Sequence, residues 1–271
     1  MRGTSRAAAV AGEHRLATVL SDGADPDTMA DELFAAAALI DRNASLRHAL
    51  ADPSRDGHAK RDLVTGLFTG KVAAAAVDVL GELAAQRWAA ERDLPDAVEQ
   101  LAVDAVLTSA ERARDVTRVE DELFRFERIV AGNAELRDML TNRHGDPQGK
   151  ASVVVELLSG NVAPQTLLLA RQSVLVPRGR QLEQTIGEYL QRAAARREQI
   201  TAVVTTTTAL TADQGRRLRA ALAKIYGRDV LLQVVVDPDV MGGIRVRVGD
   251  EVVDGTIARR LDEARRHMAG G

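Results

Sequence analysis

DELFAAAALIDRNASLRHAL, Asp31–Leu50, returns ninety residues later as DELFRFERIVAGNAELRDML, Asp121–Leu140, and this pair of stretches decides the architecture. In the first, Leu33, Phe34, Ala37, Ala38 and Ile40, then Leu46, Ala49 and Leu50, recur at steps of three and four, the period of a helix with one apolar side. Asn43 breaks the run and suits the cap of a following helix. The same register holds further along: Lys60 answers to Lys150, and TGKVA, Thr69–Ala73, to SGNVA, Ser159–Ala163, with no gap. Several blocks in one ungapped register mark an internal duplication. The period is too long for a short solenoid repeat, so each copy is expected to form a bundle of its own.

Working outward, residues 1 to about 199 read as helical throughout, with further helices over Val72–Trp88 and Leu94–Val116. Breakers fall between them at Asp22-Gly23, Pro26, Pro53, Gly57, Pro95, Gly145-Asp146-Pro147, Pro164 and Pro177. From residue 200 the pattern changes. ITAVVTTTT, Ile200–Thr208, is a β-branched strand. Thr211 and Gln214 make a capping box for a helix bearing Leu218, Ala221, Leu222 and Ile225, with Gly227 suited to its end. VLLQVVV, Val230–Val236, reads as a buried strand and IRVRV, Ile244–Val248, as a half-exposed one. Gly249-Asp250 supplies a hairpin turn into Glu251–Val253, and Asp254 caps a last helix with Ile257, Leu261, Ala264 and Met268 inward. The expected fold is mostly α with a small α+β C-terminal domain: two tandem helical bundles, residues 1–115 and 116–199, then a β-α-β-β-β-α unit, residues 200–271.

Composition narrows the function classes. Aromatics are 3% of 271 residues, so the core is built from Leu, Val, Ile and Ala. The absence of cysteine excludes disulfides, thiolate metal sites and cysteine catalysis, and fits a reducing compartment. Net charge is −3 without a basic stripe, against nucleic-acid binding. The apolar run Ala7–Ala11 is cut by Gly12 and Glu13, and Val72–Ala85 contains Asp78 and Glu82, so neither a signal peptide nor a spanning helix is expected.

Catalytic motifs fail on their spacing. Gly66-Leu67-Phe68-Thr69-Gly70-Lys71 places three residues between its glycines and Val72 after the lysine. A phosphate loop needs four and a hydroxyl residue, so a helix-linking turn is expected. His14, His48, His58, His144 and His267 lack metal-ligand spacing and read as surface. Asp237, Asp239, Asp250 and Asp254 lack EF-hand spacing. Trp88 reads as core, with a groove anchor as the alternative. Gly242-Gly243 reads as a bend or bulge rather than an anion nest. No cofactor, metal or catalytic residue is expected. A small RNA-binding fold is the rival for the C-terminal order, but its strands lack the aromatics and the basic GXXG loop that fold needs.

VDPDVMGGIRVRVGDEVVDGTIARRL, Val236–Leu261, resembles the C-terminal signature of the delta subunit family of rotary F-type ATP synthases, whose mitochondrial form is the oligomycin sensitivity-conferring protein. The resembling positions are Asp237, Pro238, Gly242, Gly243, Arg247, Val248, Gly249, Asp250, Asp254, Gly255, Thr256, Arg260 and Leu261. Leu169-Ala170 with Arg171 and Arg178 is similar to a helix of its N-terminal domain. The likeness covers about residues 120–268. It implies a non-catalytic stator part, peripheral at the cytoplasmic face of the cell membrane. The helical domain would bind N-terminal helices of the alpha subunits, and the C-terminal domain the membrane-anchored b subunit. Usual members have one helical domain, and this chain has two.

An amphipathic partner helix needs an apolar groove. Leu33, Phe34, Phe124 and Leu157 are candidate groove residues, with ordinary core as the bland reading. Arg245 and Arg247 share one strand face, either to meet acidic partner side chains or as a solvated edge. Ala35–Ala38 in the first copy stands opposite Arg125–Arg128 in the second. The second copy adjoins the family-like C-terminal domain and is expected to bind the alpha helices, with the first as an added brace.

Overall fold

The computed structural model describes residues 3–142, 144–198, 200–226, 230–237, 243–248 and 251–254. The chain divides into two compact units, Met1–Arg196 and Arg197–Gly271.

The first unit holds α1 (Thr4–Ser21), α2 (Pro26–Arg42), α3 (Ala44–Ala51), α4 (Gly57–Phe68), α5 (Ala74–Ala85), α6 (Asp93–Ala113), α7 (Val116–Gly132), α8 (Ala134–Thr141), α9 (Pro147–Leu158), α10 (Pro164–Leu175) and α11 (Leu182–Glu198). Helices α2 to α5 and α7 to α10 begin and end at the same positions ninety residues apart. The shared motifs account for this, because they are helix-end chemistry. Asn43 Oδ1 accepts the Leu46 N–H at 3.0 Å, and Asn133 Oδ1 accepts that of Leu136 at 3.0 Å. Asp56 and Asp146 cap α4 and α9. Lys60 and Lys150, both buried, donate to the backbone carbonyls of Gln86 and Asn142. Gly70 and Gly160 each take φ 77°, the left-handed turn glycine adopts without steric cost. The expected turn at Gly70 is therefore present, and α5 starts at Ala74 rather than Val72. Arg114, with φ 63°, ends α6 at Ala113 rather than Val116: its N–H and that of Asp115 cap the last carbonyls.

The repeat extends one helix further than the sequence motifs do. Ninety residues on from α1 lies α6, and the six buried residues of α1 (Ser5, Ala8, Gly12, Leu16, Val19, Leu20) correspond to Pro95, Val98, Ala102, Val106, Ser109 and Ala110, all buried. Helix α6 buries 14 of its 21 residues. One core joins α1 to α6 and takes in Val119 and Leu123 of α7, Ala163 just before α10, Leu169 of α10 and Tyr189 and Ala193 of α11. A second, around Phe126, Val154, Val174 and Ile186, fills the space among α7, α9, α10 and α11.

In the second unit, β1 (Ile200–Thr206), α12 (Ala212–Tyr226), β2 (Val230–Val236), β3 (Ile244–Val248) and β4 (Glu251–Asp254) form a mixed sheet in the order β2-β1-β3-β4. β1 and β2 are parallel, joined across α12; β1–β3 and β3–β4 are antiparallel. Ala202, Val204, Val230, Val246 and Val248 pack with Leu222 of α12. The capping box is present: Thr211 N–H donates to Gln214 Oε1 at 2.8 Å and Gln214 N–H to Thr211 Oγ1 at 3.2 Å. The expected cap at Gly227, turn at Gly249-Asp250 and last helix lie outside the described residues.

Helix α1 approaches closely enough to forbid a side chain at Gly12. A Cβ there would collide with Leu83 Cδ2 and stand 3.0 Å from Leu101 Cδ1. Gly12→Val is expected to destabilise by about 1–3 kcal/mol. Gly66→Ala, in a helix with open space around the added carbon, should stabilise by roughly 0.5–1 kcal/mol. Urea denaturation of both variants checks the opposed signs.

Candidate docking surfaces

The glutamate of each DELF motif ties its own helix to a later one. Glu32 Oε1 accepts the Ala73 N–H at 2.8 Å, and Glu122 Oε2 accepts the Ala163 N–H at 2.8 Å. Each carboxylate thereby caps the start of α5 or α10 and fixes the loop before it. The second copy adds two partners: Thr166 Oγ1 donates to Glu122 Oε2 at 2.7 Å and Arg118 Nε to Oε1 at 2.8 Å. Burial pushes the Glu122 carboxyl up. The hydrogen bonds from Thr166, Ala163 and Arg118 together outweigh it and hold the group below its usual value of 4.5.

The same motif places its phenylalanine in opposite environments. Phe34 is 6% exposed and belongs to the core of the first copy, so it offers no docking surface. Phe124 is 54% exposed and Leu157 41%. Ile129 and Met139 are exposed in the same copy, whereas the first copy exposes Leu39 and Val10 among its large apolar side chains. Leu33 is core. The surface of α7 around Phe124 is framed by exposed Arg125 and Arg128, where α2 has Ala35 and Ala38.

In the second unit Arg245 and Arg247 are exposed and alternate with buried Val246 and Val248. Across the sheet their positions register with Thr205 and Val203 of β1 and with Asp254 and Val252 of β4. Val203 and Thr205 are half-buried and Val252 exposed, so this face combines two cations with a partly apolar floor. Asp237 N–H donates to Thr206 O at 2.8 Å, carrying the strand pairing one residue past β2. Gly243 takes φ 84° immediately before β3, a bend that a side chain would strain. Pro238, Gly242, Gly249, Asp250, Gly255, Thr256 and Leu261 lie outside the described residues.

Other singled-out residues are structural. Trp88 is buried and its Nε1 donates to Leu83 O at 3.0 Å. His48 lies on the surface, where Glu91, 2.7 Å from Nδ1, raises its pKa. Gly70 borders a cavity of about 310 Å³ between α4 and α5, whose charged residues are already engaged: Asp78 with Arg15, and Arg61 with Glu82 at 2.6 Å. No described helix is long and apolar enough to cross a membrane.

The sequence motifs touched one set of residues only at Arg178 and missed the rest. Carboxylates Glu99, Asp104 and Glu111 of α6 face guanidinium groups from the α10–α11 loop and α11. Arg180 Nη2 is 2.6 Å from Glu99, Arg192 Nη1 2.6 Å from Asp104 and Arg196 Nε 2.9 Å from Glu111. Tyr189 also donates to Glu99, at 3.0 Å. Arg178, nearly enclosed, donates to Pro95 O at 2.7 Å and lies 3.2 Å from Glu99; burial brings its pKa down to about 10. Partners some ninety residues apart carry no local signal.

Because the Glu122 pKa is lower in the folded chain, its contribution to stability is complete above about pH 4.5 and is lost as pH falls through the folded value. Glu122→Ala is expected to cost about 1–3 kcal/mol at pH 7. Glu32→Ala, with one bond at stake, should cost less. Denaturation at pH 7 and at pH 3 checks both, with the Glu122 penalty shrinking in acid.

Residues 102–268 match the profile of the family described as ATP synthase delta (OSCP) subunit. The chain is similar to the ATP synthase subunit delta of Kineococcus radiotolerans, 45% identical over 269 residues, covering 99% of this chain and 98% of that protein. It is similar also to that of Streptomyces griseus, 44% identical with both chains fully covered. A chain of the Toxoplasma gondii mitochondrial ATP synthase hexamer matches at 16% identity and a TM-score of 0.29, over 62% of this chain and 94% of that one. The profile begins inside α6, whereas the relatives align along the whole chain, first copy included. The chain belongs to the ATP synthase delta (OSCP) subunit family.

Proposed function

We propose that this chain, a non-catalytic stator subunit of a rotary F-type ATP synthase joining the catalytic head to the peripheral stalk, makes the join through two separate surfaces. The second helical copy receives N-terminal helices of the alpha subunits. The sheet face bearing Arg245 and Arg247 receives the b subunit. The chain sits at the cytoplasmic face of the cell membrane, which it meets only indirectly, through its partners, and supports proton-driven ATP synthesis by keeping the head from turning with the shaft.

The task needs no reaction centre. It needs a stiff body and durable contacts at each end. The observation that carries the reading is the exchange of environment at one repeat position. Phe34 is core in the first copy, and Phe124, its counterpart, is 54% exposed while the helices around it keep the same bounds. An exposed aromatic on a helix shoulder framed by arginines suits an amphipathic helix with an acidic flank. The first copy, whose phenylalanine is withdrawn, serves as a brace. Arg245 and Arg247 over a partly apolar floor suit a second helix with carboxylates on its rim.

Two titrations of the full chain test this, one with a peptide from the alpha N-terminus and one with the C-terminal segment of b. Phe124→Ala is expected to weaken the alpha peptide roughly thirtyfold, the ~2 kcal/mol of an interface anchor, and to leave b unaffected. Arg245→Glu with Arg247→Glu should weaken b alone. If Leu39→Ala in the first copy abolishes alpha binding while Phe124→Ala does not, the copies exchange roles. If the arginine pair proves silent toward b, the sheet face is the wrong surface.

A further inference from the structure

The helix pair that repeats as α1 with α6 and as α6 with α11 is sealed by different forces in its two occurrences. In the first copy the equivalent positions on α6 are Ala102 and Val106, both fully buried in the apolar core. In the second, Arg192 and Arg196 of α11 stand at those positions. On the helix they face, His14 and Ser21 of α1, both exposed, give way to Asp104 and Glu111 of α6.

Arg192 donates through Nη1 to both Asp104 oxygens, at 2.7 and 2.6 Å, and through Nη2 to Gln100 Oε1 at 3.0 Å; Glu13 of α1 lies 3.7 Å away. Arg196 donates to Glu111 through Nε at 2.9 Å and Nη2 at 3.0 Å, and through Nη2 to Thr108 Oγ1 at 2.7 Å. Both guanidiniums are more than two-thirds withdrawn from solvent.

Apolar burial along α11 is uneven. Its first two turns place Leu182, Ile186 and Tyr189 in the cores, whereas from Leu190 to Arg196 only Ala193 is fully buried. The first compact unit ends at Arg196 and β1 begins at Ile200.

From this we propose that the C-terminal turns of α11 are an electrostatic latch: Arg192 and Arg196 hold them on α6, and they open as a separate unit, lengthening the connection to the C-terminal domain. Paired, bidentate contacts in a partly dry setting are strong while formed. They bury little apolar surface, so the segment they hold is a low-cost local opening while the rest of α11 stays packed. Unwinding adds about 2 Å of chain per residue released, the difference between helical and extended rise. The inference is independent of which partner each surface takes.

Hydrogen exchange of the full chain tests it, read by mass spectrometry over residues 191–198 against residues 182–189 and against α2–α5. Wild type is expected to exchange at 191–198 ahead of 182–189. Arg196→Ala and Glu111→Ala should each speed exchange there about tenfold, the worth of a charged hydrogen bond. The double variant should add nothing further, since either change alone breaks the pair. Arg196→Lys should fall between. The latch is overturned if residues 191–198 exchange in step with the rest of α11, if neither alanine alters them, or if the two effects add in full. Unchanged protection in α2–α5 distinguishes release of the latch from loss of the fold.

Discussion

Helix α6 is the constraint that the helical unit obeys. A helix with 14 of 21 residues buried has no solvent side to spare, so its neighbours must meet it almost all round. Small residues allow this where the fit is tightest: Gly12 of α1 leaves room for Leu101 where a Cβ would not. On the side toward α11 the fit is polar: Glu99 is buried, Asp104 and Glu111 are partly so, and all three are tolerable there because each has a guanidinium partner. Removing one partner leaves a charge with little water around it. That asymmetry makes the pairs matter more when broken than their presence adds to stability.

The duplication preserved what specifies helix ends and released what specifies surfaces. Asparagine caps, the capping glutamate and the left-handed glycine recur with the same partners or the same dihedral, and the buried lysine recurs while the carbonyl it donates to changes, from Gln86 for Lys60 to Asn142 for Lys150. Each acts within a few residues or on a neighbouring helix end, so each survives changes elsewhere. Exposed positions answer to partners, and at the outer positions of these helices Ala35 and Ala38 stand opposite exposed Arg125 and Arg128, while Ala36, Ala37 and Phe126 between them are core.

This division also explains how much was legible in advance. The ninety-residue register, the break at Asn43, the Thr211–Gln214 capping box and the strand alternation at Ile244–Val248 are local codes, and the sequence displays them. Helix α1 falls within the general helical reading of residues 1 to about 199 but carries no motif of its own: three of its six buried residues, Ser5, Ala8 and Gly12, are small, and Gly12 beside Glu13 reads as an interruption rather than as close packing. Phe34 and Phe124 sit in the same four-residue motif, so nothing near them announces which is core. The arginine–carboxylate pairs join positions that only the α6–α11 contact brings together.

A second helical copy also need not mean a second moving part. Two bundles joined by a flexible segment would bend at the joint. Here the helix that answers to α1 in the repeat is also the last helix of the first set, and the first core runs through it into α7, α10 and α11. Bending between the copies would have to break that core. The added copy therefore enlarges one compact unit rather than adding a second. For a part that must resist torque, this adds surface without adding a joint. Compliance is then left to where apolar burial thins and ion pairs take over, at the end of α11, just before the chain enters β1.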